Sequence, residues 1–315
     1  MSARKYQRIA VLMGGESVER EVSLVSGREC AGALRRNGYD VVEIDAGRDL
    51  PKALRTAKPD AVFNALHGRY GEDGCVQGML EWLRIPYTHS GVATSAIAMD
   101  KVRTKGIYAT ARLPIAPHIL ATPKEIARYH VMQPPYVVKP IDEGSSVGVV
   151  IVPEGANSPP RLADLVDPGQ SEKLMVEAYI PGRELTVTVL GGQPMVVTEI
   201  FAQGYYDYHA KYTEGGSRHE VPAKIPAKIT AKALECAKTA HEILGCRGAS
   251  RTDFRYNSEI ETADTAKIDE VLILLETNTQ PGMTPTSLAP EQAAHQGMTF
   301  DALVAWLIED ASLDR

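Results

Sequence analysis

The 315-residue sequence predicts an α/β protein: a doubly wound parallel sheet in its N-terminal part and an α+β arrangement in its C-terminal half. Two patterns predict this. Between Arg8 and Gly68, short continuous apolar runs alternate with helical stretches, as buried parallel strands and their crossover helices do. Further along, apolar runs come in pairs around glycine-bearing turns, as antiparallel hairpins do.

Arg8 to Met13 (RIAVLM) reads as a buried strand that stops at Gly14-Gly15. A helix follows from about Ser17, with Leu24, Gly27, Ala31 and Leu34 on one face and Gly38 past its end. Val41 to Ala46 predicts a second strand, a helix runs through Leu54, and Ala61 to Gly68 predicts a third strand. Ligands of such sheets bind beyond the C-terminal strand ends, where Gly14-Gly15-Glu16 and His67-Gly68 stand. His67 to Leu83 (HGRYGEDGCVQGMLEWL) reads as a glycine-rich polar loop, suited to meeting a ligand, and then a helix. Another helix ends near Lys101 to Lys105.

Arg112 to Ala121, with Pro114 and Pro117, is extended and marks a domain boundary. Tyr136 to Lys139 and Val149 to Val152 predict strands about the flexible turn Gly144 to Gly148. Pro153 to Pro160 is a surface loop, and Arg161 to Val166 a short helix. Leu174 to Leu190 holds two strands around Pro181-Gly182. Gly204 to Gly216 (GYYDYHAKYTEGG) has neither helical nor strand period and reads as an active-site cover. Ala227 to Leu244 is an amphipathic helix closed by Gly245. The strand ASRTDFRYN puts Arg251, Asp253 and Arg255 on one face, with Thr252 and Phe254 on the other. Glu259 to Glu270 has the composition of an exposed hairpin loop. A helix from Ala289 to Ala311, broken around Gly297, closes the chain.

Leu274 to Leu288 (LLETNTQPGMTPTSL) carries the densest chemistry. Glu276 and Asn278 lie two apart at a strand end, so their oxygens leave one face, a plausible site for a hard cation such as Mg²⁺ beside phosphate. Pro281-Gly282 stops the strand, and Thr284, Thr286 and Ser287 supply hydroxyls. Lys139, on a strand beside a Gly/Ser loop, suits polyphosphate through charge and backbone N–H groups; the plainer reading is an ordinary hairpin.

A net charge of −6 and a pI near 5.8 argue against a nucleic-acid or membrane-surface binder. The four cysteines, Cys30, Cys75, Cys236 and Cys246, form no CxxC pair and read as small buried residues of a reducing cytosol. The apolar run of five residues before Gly14 is too short for a signal-peptide core, so a soluble, cytoplasmic protein is expected. GGESVE lacks the GxGxxG spacing, which makes a nicotinamide site a poor reading.

Taken in order, GGESVEREVSL, LHGRYGEDGCVQG, MDK, VVKPIDEGSSVGV, VEAYIPGRELTV, YYDYHAKY, SRTDF and ETNTQPGMTPTSL resemble the ATP-grasp ligases, and within them the D-alanine–D-alanine ligase family. Any one of these motifs is weak; together, in this order, they span essentially the whole chain. The resemblance implies an N-terminal substrate-binding domain (1–100) and two ATP-grasp domains (101–183 and 184–315). Lys101 and Lys139 would contact the phosphates of ATP, and the loop with Ser145 and Ser146 would fold over them. Glu177, Tyr179 and Ile180 would line the adenine pocket, with Tyr205 packing there and Glu184 on the ribose. Asp253, Glu276 and Asn278 would hold two Mg²⁺ ions, for which Mn²⁺ can substitute.

The implied reaction joins two D-alanine molecules through an acyl phosphate, as in peptidoglycan precursor synthesis. Arg251 and the Gly282 N–H would form the oxyanion site, and Glu16 would hold the first ammonium with His67 close by. Lys211, which would also serve ATP, joins Ser287 and the Leu288 N–H in receiving the second carboxylate. Glu16, Ser145 and Tyr212 would form a hydrogen-bonded trio across the closed site. Members of the family are commonly homodimers. Ser250 stands where the family usually has glycine, and Tyr205 where phenylalanine is common. Within this fold the second substrate could instead be D-lactate or D-serine, or the chain could be a non-catalytic ATP-binding module. The intact set Arg251, Asp253, Glu276, Asn278 and Lys211 argues against the module.

Overall fold

In the computed structural model, residues 4–145, 147–165, 172–202, 217–260 and 267–314 are described. The first sheet takes β1 (Arg8–Met13), β2 (Asp40–Asp45) and β3 (Ala61–Asn64) in the parallel order β2-β1-β3. Alternation along β1 explains its continuous apolar character. Ile9, Val11 and Met13 meet α1 (Arg20–Arg36) and residues from the far C-terminus, while Ala10 and Leu12 meet α2 (Leu50–Ala57) and α3 (Cys75–Leu83). Helices therefore cover both faces. Gly14 has φ +76°, and a Cβ there would lie 2.2 Å from Asp45 Oδ1, so only glycine allows this strand-to-helix corner.

Two short helices, α4 (Val92–Met99) and α5 (Lys101–Thr110), lead out of this layer; Asp100 caps α5 by accepting from the Val102 and Arg103 N–H groups. The second sheet is antiparallel, ordered β4-β7-β5-β6 from β4 (His118–Ala121), β5 (Tyr136–Lys139), β6 (Val150–Val152) and β7 (Leu174–Ala178). Tyr136, Val138 and Val176 pack with Ile126 of α6 (Pro123–Arg128), leaving the alternate positions Val137, Lys139 and Glu177 to line a cleft. Of the helix expected over Arg161 to Val166, the described residues form a short 3₁₀ turn at Leu162–Asp164, and Val166 lies outside them.

The third sheet is also antiparallel, in the order β10-β9-β8-β11-β12: β8 (Arg183–Leu190), β9 (Gln193–Ala202), β10 (Ser217–Glu220), β11 (Ala249–Tyr256) and β12 (Leu272–Asn278). Its apolar face packs on α7 (Ala227–Ile243) through Leu185, Val187, Ala233, Phe254 and Leu274. The two strands around Pro181-Gly182 belong to different sheets, so that turn is a crossing between layers. Gly182, at φ +103°, permits it, since a Cβ would lie 2.2 Å from Tyr256 O. After α8 (Ile268–Val271) and β12, the chain ends in α9 (Leu288–His295) and α10 (Phe300–Asp310), separated at Gly297 as the sequence predicts. Leu303, Val304 and Leu307 of α10 join the core of the first sheet, and Ser312 bridges Tyr87.

Among the described residues all four cysteines are free; Cys30 and Cys236 are buried as expected, but Cys75, at the start of α3, is exposed. No helix among the described residues is long and apolar enough to cross a membrane.

Candidate active site

The three layers meet around two connected cavities, of about 790 and 310 Å³, whose walls share Lys101, Glu143, Gly144, Ser145 and Glu276. The smaller lies between the second and third sheets and is lined by Val137, Ile151, Tyr179, Ile180 and Glu184. Apolar walls with a few polar groups suit a flat heterocycle. The larger opens toward α1, His67 and the turn after β12.

Strand register builds the junction. In the β11–β12 pair, Asp253 faces Glu276 and Arg251 faces Asn278. Two carboxylates directly opposite repel unless a cation lies between them. Arg251 supplies one, donating from Nε and Nη2 to the two Asp253 oxygens at 2.9 and 2.8 Å, and Thr186 Oγ1 donates to Asp253 Oδ1 at 2.6 Å. Lys101 Nζ lies 3.9 Å from Glu276 Oε2 and donates to the Glu143 carbonyl at 2.5 Å. Asn278 Oδ1 accepts from the Gln280 N–H at 3.0 Å. Beneath this face, Tyr108 OH donates to Thr277 Oγ1 at 2.6 Å, and Thr277 shares a 2.9 Å hydrogen bond with Thr252. That buried chain fixes both strands while Glu276 and Asn278 point the other way. Among the described residues no three or more His, Cys, Asp or Glu side chains converge as a metal cage. Two carboxylates plus an amide oxygen instead fit Mg²⁺, which commonly completes its shell with water and substrate phosphate.

On the N-terminal side the structure corrects one expectation. Glu16 is exposed and lies 3.6 Å from Arg48, while Glu19 is 5% exposed and accepts a hydrogen bond from Ser145 Oγ. The reason is local: Val18 and Glu19 form a turn in which the Arg20 N–H donates to the Ser17 carbonyl at 3.2 Å, the helix begins at Arg20, and Glu19 stands at its N-cap without a side-chain capping bond. Ser17 anchors this turn by donating to the His67 carbonyl at 2.7 Å. His67 is buried, 3.4 Å from Ser26 Oγ, and burial lowers its pKa although Glu19 opposes this, so its ring is neutral. Glu72 accepts from the Gly68 N–H at 2.7 Å; burial and the nearby Glu19 push its carboxyl up to about 8.

The turn after β12 is clamped to the first sheet. Gln280 donates to the Leu66 carbonyl and accepts from Asn64 Nδ2 at 2.8 Å. Ser287 Oγ accepts from the Thr284 N–H at 3.1 Å and lies 2.8 Å from Thr284 Oγ1, with Leu288 opening α9. Gly282, Ser287 and Leu288 all line the larger cavity.

Glu177, expected in an adenine pocket, lines the smaller cavity and also bridges two lysines. Its carboxylate lies 2.5 Å from Lys105 Nζ and 2.7 Å from Lys139 Nζ. Burial alone would raise the Glu177 pKa, but Lys139 and Lys105 together bring it below the usual range. Sequence reasoning missed Glu19, Lys105 and Gln280. Glu19 was legible only as one of the acidic residues near the helix start, and Lys105 only as a lysine four residues, about one helical turn, past Lys101. Ser146, Tyr205, Lys211 and Tyr212 lie outside the described residues. Ser250, the departure from glycine, hydrogen-bonds His241 of α7 at 2.7 Å.

Comparison with known proteins matches the same regions. A family model described as D-ala D-ala ligase C-terminus matches residues 110–309, and one described as D-ala D-ala ligase N-terminus matches residues 44–90. The chain is 61% identical over 314 residues to a D-alanine–D-alanine ligase of Cereibacter sphaeroides, covering 100% of this chain and 99% of that protein. It is 62% identical over 315 residues to the enzyme of that name from Ruegeria pomeroyi, with the same coverage. In three dimensions it resembles D-alanine–D-alanine ligase from Bacillus anthracis complexed with ATP, with TM-score 0.78 and 28% identity over 96% of this chain and 97% of that one.

Proposed function

The chain belongs to the D-alanine–D-alanine ligase family, and from that premise we propose that it joins two D-alanine molecules at the expense of ATP, for cell-wall precursor synthesis. The observation that carries the reading is the meeting of the two cavities at Lys101, Ser145 and Glu276. A nucleotide in the smaller cavity would place its terminal phosphate where the larger one begins.

The carboxylate of the first D-alanine attacks the γ-phosphorus and ADP leaves, giving an acyl phosphate. The amine of the second D-alanine then attacks the acyl carbon, and the tetrahedral intermediate expels phosphate. A bare carboxylate is a poor electrophile, so the first step installs a leaving group. Lys101 and Lys139 neutralise phosphate charge, and the loop from Gly144 to Gly148 closes over it. Asp253, Glu276 and Asn278 would hold Mg²⁺, which would supply positive charge to neutralise the phosphate oxygens. Tyr179 and Ile180 flank the adenine, with Glu184 on the ribose. Glu19, taking the place first given to Glu16, holds the first ammonium beside neutral His67. Arg251 and the Gly282 N–H stabilise the oxyanion, while Ser287 and the Leu288 N–H, with Lys211, receive the second carboxylate. Closure of Ser145 onto Glu19, completed by Tyr212, excludes water from the acyl phosphate. The family resemblance further supports residues 1–100, 101–183 and 184–315 as domains, and a cytoplasmic homodimer.

The test is identification of the product. With ATP, Mg²⁺ and D-alanine, mass spectrometry should find D-alanyl-D-alanine together with ADP and phosphate, and D-lactate should substitute poorly. No dipeptide with all three present would refute the reading; equal use of D-lactate would refute the choice of second substrate.

A further inference from the structure

Lys101 and Lys105, four residues apart, leave the same side of α5. Lys101 reaches Glu143 O and Glu276. Lys105 turns to the second sheet, where its side chain is 1% exposed and its Nζ lies 2.5 Å from Glu177 Oε2. The other Glu177 oxygen lies 2.7 Å from Lys139 Nζ, whose side chain lines the smaller cavity. One carboxylate thus stands between an enclosed ammonium and another at the cavity wall. Burying an ammonium is costly, and Glu177 could pair with Lys139 alone at lower cost. What Lys105 adds is charge: two ammonium groups against one carboxylate leave the cluster with one positive charge, and the outlet of that charge is Lys139.

We infer that Lys105 is a positioning residue for nucleotide binding, which takes up the charge of Glu177 so that Lys139 faces the cleft as an uncompensated cation. The inference rests on the reading that this cleft holds ATP. Without Lys105, the Glu177–Lys139 pair would be neutral, and an arriving polyphosphate would meet no net attraction there. Burial lowers the pKa of Lys105 while Glu177 opposes it, and Glu177 itself stays ionised. The helix that carries Lys105 also carries Lys101, so one element sets the charge at both ends of the nucleotide site.

The test compares the full-length protein with Lys105→Met and the double variant Lys105→Met/Glu177→Gln. Equilibrium binding of a non-hydrolysable ATP analogue is measured, with KM for ATP and for D-alanine. Lys105→Met should weaken nucleotide binding and raise KM for ATP by about tenfold or more, the scale of a charge-assisted contact, with KM for D-alanine moving less than about twofold. The double variant removes the carboxylate as well, leaves Lys139 unneutralised, and should recover most of the lost affinity. Unchanged nucleotide affinity in Lys105→Met, equal rises in both KM values, or a double variant no better than the single would each overturn the inference. Should Lys105→Met fail to fold, Lys105→Arg and Lys105→Gln decide: nucleotide binding kept by the charged variant and lost about tenfold by the neutral one supports the inference, and equal binding by both overturns it. Absence of nucleotide binding by the unaltered protein would instead refute the functional reading.

Discussion

Ser145, between β5 and β6, donates a hydrogen bond from Oγ to Glu19 at the start of α1. Residues 126 apart in sequence thereby join the loop between β5 and β6 to the start of α1. On the proposed function, nucleotide under this loop would be felt at the site of the first ammonium, because the loop that would close on phosphate also holds the Glu19 carboxylate. Glu19→Gln should therefore lower kcat by about a hundredfold or more, since a misplaced reacting group costs on that order. Ser145→Ala should follow in the same direction. Glu16→Gln should stay within about twofold, as an exposed partner of Arg48 contributes little. Steady-state kinetics on the three variants checks this; equal losses at Glu16 and Glu19 would return the role to Glu16.

Asp253 and Glu276 face each other in register, so their repulsion is relieved only by cations. Glu276→Gln should abolish measurable turnover while the protein stays folded. Chelation of Mg²⁺ should do the same to the unaltered protein, with recovery on adding Mg²⁺ back. Thermal unfolding with an ATP analogue should show Mg²⁺ raising the midpoint of the unaltered protein and not of the variant, because a ligand stabilises only the state that binds it. Full activity of Glu276→Gln would refute the metal assignment.

Much of this was legible in the sequence, because strand alternation and turn chemistry are local. The placement of Arg251 and Asp253 on one face follows from period two, and the break at Gly297 from a residue at φ +84°. Glu16 and Glu19 were not separable in that way: which carboxylate turns inward depends on where α1 starts, and the turn at Val18–Glu19 delays it. What Lys105 and Gln280 pair with was not legible, for a different reason. Their partners, Glu177 in one case and Leu66 and Asn64 in the other, are distant in sequence, and no local pattern announces a buried long-range pair.

Glu72 makes the protein's stability depend on pH in a direction unusual for a carboxylate. Burial first, and Glu19 second, raise its folded pKa to about 8, above the ordinary 4.5. Between those values the folded state holds a proton that the unfolded state has lost, so stability falls as pH rises through the window. Glu72→Gln keeps an oxygen to accept from the Gly68 N–H and carries no charge. Its unfolding midpoint should differ from that of the unaltered protein by a constant amount below about pH 4, gain on it progressively between the two pKa values, and level off above about pH 8. A constant difference across that range would remove the protonated carboxyl from the account.

Ser250 separates stability from catalysis. Its hydroxyl lies 2.7 Å from His241 Nδ1 across the interface between β11 and α7, and the two residues are 0% and 4% exposed. Burial lowers the His241 pKa to about 4, so at neutral pH this is a hydrogen bond between uncharged groups. Ser250→Gly would remove it, leave a buried ring nitrogen without that partner, and place a glycine in a central strand. Together these cost about 2 kcal/mol. Denaturant unfolding should show that loss. Yet Ser250 and Arg251 are neighbours on a strand and face opposite sides, so the guanidinium keeps its two bonds to Asp253. Turnover measured well below the unfolding midpoint should stay within about twofold of the unaltered protein; a loss of kcat without a loss of stability would show that the serine acts on the site itself.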